Sequence, residues 1–144
     1  MTQRTIRMII DQQELLTAPA NTTVSEAARL MKQRRVGAIM VVEDSKLVGV
    51  FTERDAVCRV LAEGRDGNAT PLAEVMTGNP RTIRPDDSFV LALQMMHEGR
   101  FRHVPVVEEG RPIGMVSARD ALGPELEAFV YELLRQEQIG EILA

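Results

Sequence analysis

Tryptophan is absent from this 144-residue chain, tyrosine occurs once, and aromatic residues make up 3% of it. A surface that binds single strands by stacking bases on several rings has too little material here. Positive charge is also short, with 17 Lys plus Arg against 21 Asp plus Glu and a formal net charge of −4. No global positive field gathers phosphate backbones, so nucleic acid is not an expected partner; a local cluster of Arg81, Arg84, Arg100 and Arg102 is the feature that keeps it open. The single cysteine, Cys58, permits no internal disulfide and reads as a small core hydrophobe. The two histidines, His97 and His103, miss the i, i+4 spacing of a helical metal pair, and no Cys/His cluster supplies the ligands of a zinc site, so no metal residue is assigned. Long apolar runs are missing too. The longest, Val36 to Val42, is far below the ~20 residues of a membrane span. After Arg4 and Arg7 only three apolar residues precede Asp11, too few for the roughly 7–15 of a signal peptide. A cytoplasmic location with no membrane partner is the expectation.

What is present is a repeat. Sliding the chain against itself gives a gap-free register of 65 residues from Glu14 to Val57. The identical pairs are Thr17/Thr82, Ala27/Ala92, Met31/Met96, Arg35/Arg100, Val41/Val106, Val42/Val107, Glu43/Glu108, Gly49/Gly114, Arg54/Arg119, Asp55/Asp120 and Ala56/Ala121. Shared α/β periodicity explains the apolar matches but not the coincident Gly, Arg and Asp. Each copy has the same order. Thr23-Val24-Ser25-Glu26 is a capping box, followed by Ala27, Ala28 and Met31 on one helical face; Ser88, Phe89, Ala92, Leu93 and Met96 repeat it. Ala38–Glu43 with Leu47–Phe51, and His103–Glu108 with Pro112–Val116, read as hairpins. A second helix follows each, Glu53–Glu63 closed by Gly64 and Ala118–Leu122 broken by Gly123-Pro124. With short strands at Leu15–Thr17 and Arg81–Ile83, the unit is β-α-β-β-α. A unit near 60 residues buries only about 60% of its unfolded surface, so the two are expected to share one α/β (α+β) domain with pseudo-two-fold symmetry. Met31 and Met96 fall at core positions. The expected division is residues 1–63 for the first repeat, 64–71 for a turn-rich connector, 72–123 for the second repeat and 124–144 for a C-terminal amphipathic helix. The apolar stripe of that helix, Leu126, Phe129, Val130 and Leu133, must be covered by the domain or by another subunit.

These residues resemble tandem cystathionine-β-synthase (CBS) domains, the pair called a Bateman module, over roughly residues 5–123. The carriers are Leu47-Val48-Gly49-Val50-Phe51-Thr52-Glu53-Arg54-Asp55 and Pro112-Ile113-Gly114-Met115-Val116-Ser117-Ala118-Arg119-Asp120. Both match the family's Gly-apolar-apolar-Thr/Ser-x-x-Asp signature. Arg102-His103-Val104-Pro105-Val106-Val107 looks like the family's strand, and Met76-Thr77 with Thr82-Ile83 like its entry.

The resemblance implies sensing, without catalytic residues or an obligatory cofactor. Similar proteins bind AMP, ADP, ATP, NAD or S-adenosylmethionine between the two copies. It implies that Asp55 or Asp120 accepts from ribose hydroxyls, an arrangement that suits an acceptor-only carboxylate. Thr52 and Ser117 begin the second helices, where free amides and the helix dipole suit a phosphate. Adenine is expected against Ile39 and Met40 in one cleft, or Val104 and Pro105 in the other. Arg54 and Arg119 read as solvated residues or phosphate ligands, and Thr17 and Thr82 as strand-pairing or ligand residues. Thr/Ser-x-x-Asp is equally a helix capping box needing no ligand. Arg81, Arg84, Arg102 and His103 replace Leu16, Pro19, Gly37 and Ala38 of the first copy, so the second-copy cleft, with Asp120, is expected to prefer a phosphorylated ligand. The function read from this is a regulatory module acting through a homodimer or an unidentified protein. The alternative is a ligand-free interaction module docking on a partner enzyme. An enzyme is not expected, because no nucleophile with an adjacent base, acid–base pair or metal cluster is evident.

Overall fold

A computed structural model describes residues 4–143. The first repeat contains α1 (Ile6–Ile10), β1 (Thr17–Ala18), α2 (Val24–Arg34), β2 (Ala38–Glu43), β3 (Lys46–Thr52) and α3 (Glu53–Asp55), which runs on as a π-helix over Ala56–Leu61. The second contains α4 (Leu72–Val75), β4 (Thr77–Gly78), α5 (Phe89–Gly99), β5 (His103–Glu108), β6 (Arg111–Ser117) and a 3-10 turn at Ala118–Asp120; α6 (Gly123–Leu143) follows.

Local chemistry accounts for these boundaries. Thr23 Oγ1 accepts from Glu26 N–H at 3.2 Å and Ser88 Oγ from Leu91 N–H at 3.3 Å, starting α2 and α5. Both helices end on an arginine in the left-handed region, Arg35 at φ 55° and Arg100 at φ 57°. That conformation costs a non-glycine residue roughly 1–2 kcal/mol. The hairpins turn on Asp44-Ser45 and Glu109-Gly110, all with positive φ, as two-residue turns matched to strand twist require.

Four elements differ from expectation. The strand expected at Arg81–Ile83 reduces to a parallel bridge between Ile83 and Val106, because Pro105 stands where Met40 N–H donates to Leu16 O in the first repeat and has no N–H to donate. Its counterpart shifts by one residue to Thr17–Ala18. The helix expected at Ala118–Leu122 is a single 3-10 turn, and Gly123-Pro124 opens α6 instead of breaking a helix. Proline suits a first turn, where its missing N–H has no intrahelical partner to lose. The π-helix directs Val60 into the core and leaves Cys58 exposed, correcting its assignment as a core residue.

One sheet has the order β1-β2-β3-β4, with β1 parallel to β2 and the other pairs antiparallel; β5 and β6 form a separate antiparallel pair. Two cores lie behind them. Ala27 and Met31 of α2, Ile39, Val41, Phe51 and Val60 form one; Phe89, Ala92, Met96, Val104, Val106 and Val116 form the other. The repeats exchange their leading turns. Ile6 and Ile10 of α1 complete the core of the second repeat, whereas Leu72 and Val75 of α4 complete that of the first. The exchange obeys the 65-residue register, since Ile10 and Val75 are equivalent positions. It extends to the sheet edges. β4 pairs with β3 at Val50↔Thr77, and at the equivalent edge the Gln13 side chain substitutes for a strand. Its Nε2 donates to Met115 O and its Oε1 accepts from Met115 N–H, both at 2.8 Å.

The identical pair Gly49/Gly114 lies where the exchanged turns press on the strands. A Cβ on Gly114 would stand 2.7 Å from Ile10 Cγ2, while one on Gly49 would meet the flexible Met76 side chain. Gly114→Ala is therefore expected to destabilise the protein by about 1–3 kcal/mol, the cost of overpacking a branched buried side chain, and Gly49→Ala by less. Urea titration of both variants checks the order.

α6 packs on α5 through Phe129, edge-on to His97 with ring centroids 5.8 Å apart. The expected apolar stripe divides: Phe129 turns inward, and Leu126 and Val130 remain exposed together with Leu122 and Leu134.

Candidate functional site

Each signature faces residues of the other repeat, so the sites are composite. Met115, Ser117, Arg119 and Asp120 line a cavity of about 240 Å³ with Leu16, Arg35, Ala38 and Met40. Val50, Thr52, Arg54 and Asp55 line one of about 510 Å³ with Arg81, Arg100, His103 and Pro105. A shift of 65, subtracted from Met115, Ser117, Arg119 and Asp120 and added to Leu16, Arg35, Ala38 and Met40, converts the first set into the second, as a pseudo-two-fold axis between the hairpins demands.

This juxtaposition corrects the expected charge grouping. Arg81 lies with Asp55, not with Asp120, and Arg54, Arg59 and Arg100 line the same cleft. Arg102 and Arg100 line an adjoining groove of about 590 Å³ that shares Thr52, Arg54, Phe101 and His103 with it. The Asp120 cleft balances Arg35 and Arg119 against Glu14 and Asp120. Sequence register identifies equivalent residues; the symmetry axis then pairs each with the opposite copy.

Both signatures close capping boxes. Thr52 N–H donates to Asp55 Oδ2 at 2.9 Å and Asp55 N–H to Thr52 Oγ1 at 3.1 Å; Ser117 N–H donates to Asp120 Oδ2 at 2.8 Å. Glu53 N–H donates to Gly37 O and Ala118 N–H to Arg102 O. The Glu53, Asp55 and Ala118 amides, expected to be open to a phosphate, are thus occupied, and the cleft arginines are the cationic groups left facing the cavities. The cap and ligand readings are compatible, however. Each cap uses Oδ2 and leaves Oδ1, which in Asp55 stands 3.5 Å from Arg59 Nε.

The remaining expected residues separate by face. Ile39 and Val104 are fully buried in the two cores, so strand alternation offers the clefts Met40 and Pro105 instead. Thr17 pairs along β1 with Met40, Ile83 is buried in the second core, and neither they nor Thr82 line these cavities. Arg35, Arg59 and Arg100 were not singled out from sequence as ligand residues, although the identity of Arg35 with Arg100 carried the signal. Arg35 and Arg100 share their left-handed backbone and their positions in opposite clefts.

His103 lines both cavities and the groove. Burial lowers its pKa from the ordinary histidine value, opposed by Glu53 and reinforced by Arg119; Asp120 raises it and Arg102 lowers it. Behind Asp120, Arg4 Nη2 donates to the Asp120 carbonyl at 2.6 Å and to Glu125 Oε1 at 2.6 Å, while Arg4 Nε donates to Glu125 Oε2 at 3.0 Å. The Ser117–Asp120 turn is thereby tied to α6.

A family model described as the CBS domain matches residues 7–61 and 72–124. The CBS domain-containing protein YhcV of Bacillus subtilis is 41% identical over 107 residues, covering 74% of this chain and 76% of that protein. Longer relatives occur in Arabidopsis thaliana: against CBSCBSPB1 the match is 38% identical, covering 74% of this chain but only 20% of the plant protein. A CBS-domain structure from Burkholderia ambifaria superposes with a TM-score of 0.76 at 32% identity, covering 81% of this chain and 90% of that one. The CBS domain pair of MJ0100, in complex with 5′-methylthioadenosine and S-adenosyl-L-methionine, superposes with a TM-score of 0.74 at 26% identity, covering 83% and 93%.

Proposed function

Because this chain belongs to the CBS-domain family, we propose that it is a regulatory module binding an adenosine-containing ligand between its repeats. The observation that carries this reading is the duplicated carboxylate. Asp55 and Asp120 each retain Oδ1 beside a cavity after capping with Oδ2. One anionic oxygen is a suitable acceptor for vicinal ribose hydroxyls, and charge-assisted bonds are roughly twice as strong as neutral ones. The Asp55 cleft is the site for a phosphorylated nucleotide such as AMP, ADP or ATP, with Arg54, Arg81 and Arg100 meeting its phosphates. The Asp120 cleft suits a ligand with a less anionic tail, as in S-adenosylmethionine. Adenosine is also common to both molecules bound by the MJ0100 pair. The signal passes to a second copy or to a regulated protein, and no catalytic role is assigned to any residue.

The near absence of aromatics provides a direct test. Protein is purified, its absorbance spectrum recorded, and denatured filtrate analysed by ion exchange and mass. An adenine compound is expected, conspicuous above a single tyrosine. Thermal unfolding with AMP, ATP, NAD and S-adenosylmethionine follows, because a ligand at 100 times its Kd adds about 2.7 kcal/mol of stability. The second reading, a ligand-free docking module, is favoured by capping boxes that close without a ligand. Silence in both assays selects it.

A further inference from the structure

Near the centre of the site the pseudo-two-fold relation fails at two adjacent residues. His103 is the register equivalent of Ala38, and Arg102 of Gly37. The small pair in the first repeat leaves room that the imidazole fills, with His103 Cε1 standing 3.3 Å from where a Gly37 Cβ would be. Two symmetric clefts therefore share one asymmetric wall. His103 borders Ser117, Arg119 and Asp120 in one cavity, and Thr52, Arg54 and Arg100 in the others.

We propose that His103 couples the two clefts electrostatically: a phosphate-bearing ligand in the Asp55 cleft draws a proton from solvent onto the imidazole, and the imidazolium biases the Asp120 cleft toward anionic and against cationic ligands. This rests on the preceding reading that the clefts bind ligands.

The groups facing His103 set the direction. Glu53 of α3 and Asp120 of the 3-10 turn favour the imidazolium; Arg102, preceding β5, and Arg119 oppose it. Arg35 and Glu14 share the Asp120 cleft, while Arg54, Arg100 and Asp55 share the other. Among the described residues no carboxylate forms an ion pair with Arg54, Arg100 or Arg102, while at the ring itself Glu53 and Asp120 together offset Arg119 and Arg102. Burial is the largest influence and favours the neutral form of the ligand-free imidazole. A phosphate dianion screens the arginines and adds negative charge, which works against burial and favours the imidazolium. A protonated ring beside Asp120 then repels a sulfonium or ammonium group and attracts a carboxylate or phosphate. Binding linkage makes this coupling reciprocal.

The test follows the imidazole directly by NMR titration of the intact protein. Only two histidines are present, so a His97→Gln variant assigns the His103 signal. Saturation with AMP, verified by calorimetry, is expected to raise the His103 midpoint by about one unit, which corresponds to tenfold stronger binding to the protonated form. Asp120→Asn in AMP-free protein is expected to lower the same midpoint. His103→Gln should remove the pH-dependent part of AMP affinity between pH 5.5 and 8; the phosphate's own ionisation is common to both proteins and cancels in the comparison. AMP bound with calorimetric heat but an unmoved His103 overturns the coupling and leaves the binding reading intact. Absence of binding to wild type by any adenine compound overturns both.

Discussion

Asp55→Ala is expected to weaken binding of AMP by roughly ten- to a hundredfold, while Asp120→Ala leaves it near the wild-type value. The magnitude follows from a hydrogen bond to a charged group, about 1.5–3 kcal/mol, at 1.4 kcal/mol per decade. The order follows from juxtaposition: Arg54, Arg59, Arg81 and Arg100 surround Asp55, whereas Asp120 shares its cavity with Leu15, Leu16 and Met40. Grouping charges by repeat predicts the opposite order, so the comparison also tests the composite architecture. Because Asp55 caps its own helix, Ala also removes about 1 kcal/mol of stability. Asp55→Asn separates the effects by retaining a side-chain oxygen for Thr52 N–H. Calorimetric titration of the three variants at fixed salt is decisive, and equal losses in Asp55→Ala and Asp120→Ala would sink the assignment.

Arg4→Ala is expected to lower the Tm by about 6–12 °C. The guanidinium makes two bonds to Glu125 and one to the Asp120 carbonyl, and lies 5.8 Å above the Phe89 ring. The Glu125 side chain is only 7% exposed. Removing one partner of such a pair leaves a charge stranded, at a cost of about 3 kcal/mol, and a chain of this size loses about 2–4 °C per kcal/mol. Arg4→Lys should not restore stability, because an ammonium lacks the planar fork. The pair also predicts a pH dependence. Hydrogen bonding to Arg4 lowers the Glu125 pKa from 4.5, so its stabilisation is complete above that value and is lost as pH falls through the folded-state pKa. The gap between wild type and Arg4→Ala should accordingly narrow below about pH 4.5 in differential scanning calorimetry. A constant gap would place the stabilisation in packing on Phe89 instead.

Much of the fold was legible because the duplicated residues report local geometry. Capping residues Thr23 and Ser88, turn residues Asp44 and Gly110, and alternating strand positions each act within a few residues of themselves. Met31 and Met96 entered the cores as their helical spacing required. Long-range relations were less visible. Nothing local to Ile6 and Ile10 indicates that they pack in the second core, Ile10 under Gly114, and the short run before Asp11 carries too few residues for periodicity to register. The fate of Ile39 and Val104 is similar: apolar neighbours on one strand serve opposite faces, and only the packed sheet decides which face is core. Cys58 was misplaced because its burial was read from residue type, whereas the helix that carries it turns Val60 inward and leaves Cys58 exposed.

The exchanged leading turns also bear on how the molecule assembles during synthesis. A ribosome releases Ile6 and Ile10 well before their partners, which run from Ile83 to Val116. That turn therefore waits with its apolar side chains unsatisfied until the second repeat has emerged. α4, by contrast, meets strands and helices already made, so the first core can close as soon as Leu72 and Val75 appear. Vectorial folding should thus proceed through an intermediate in which the first core is complete and α1 still hangs free, and its docking onto β6 is the last step that locks both repeats.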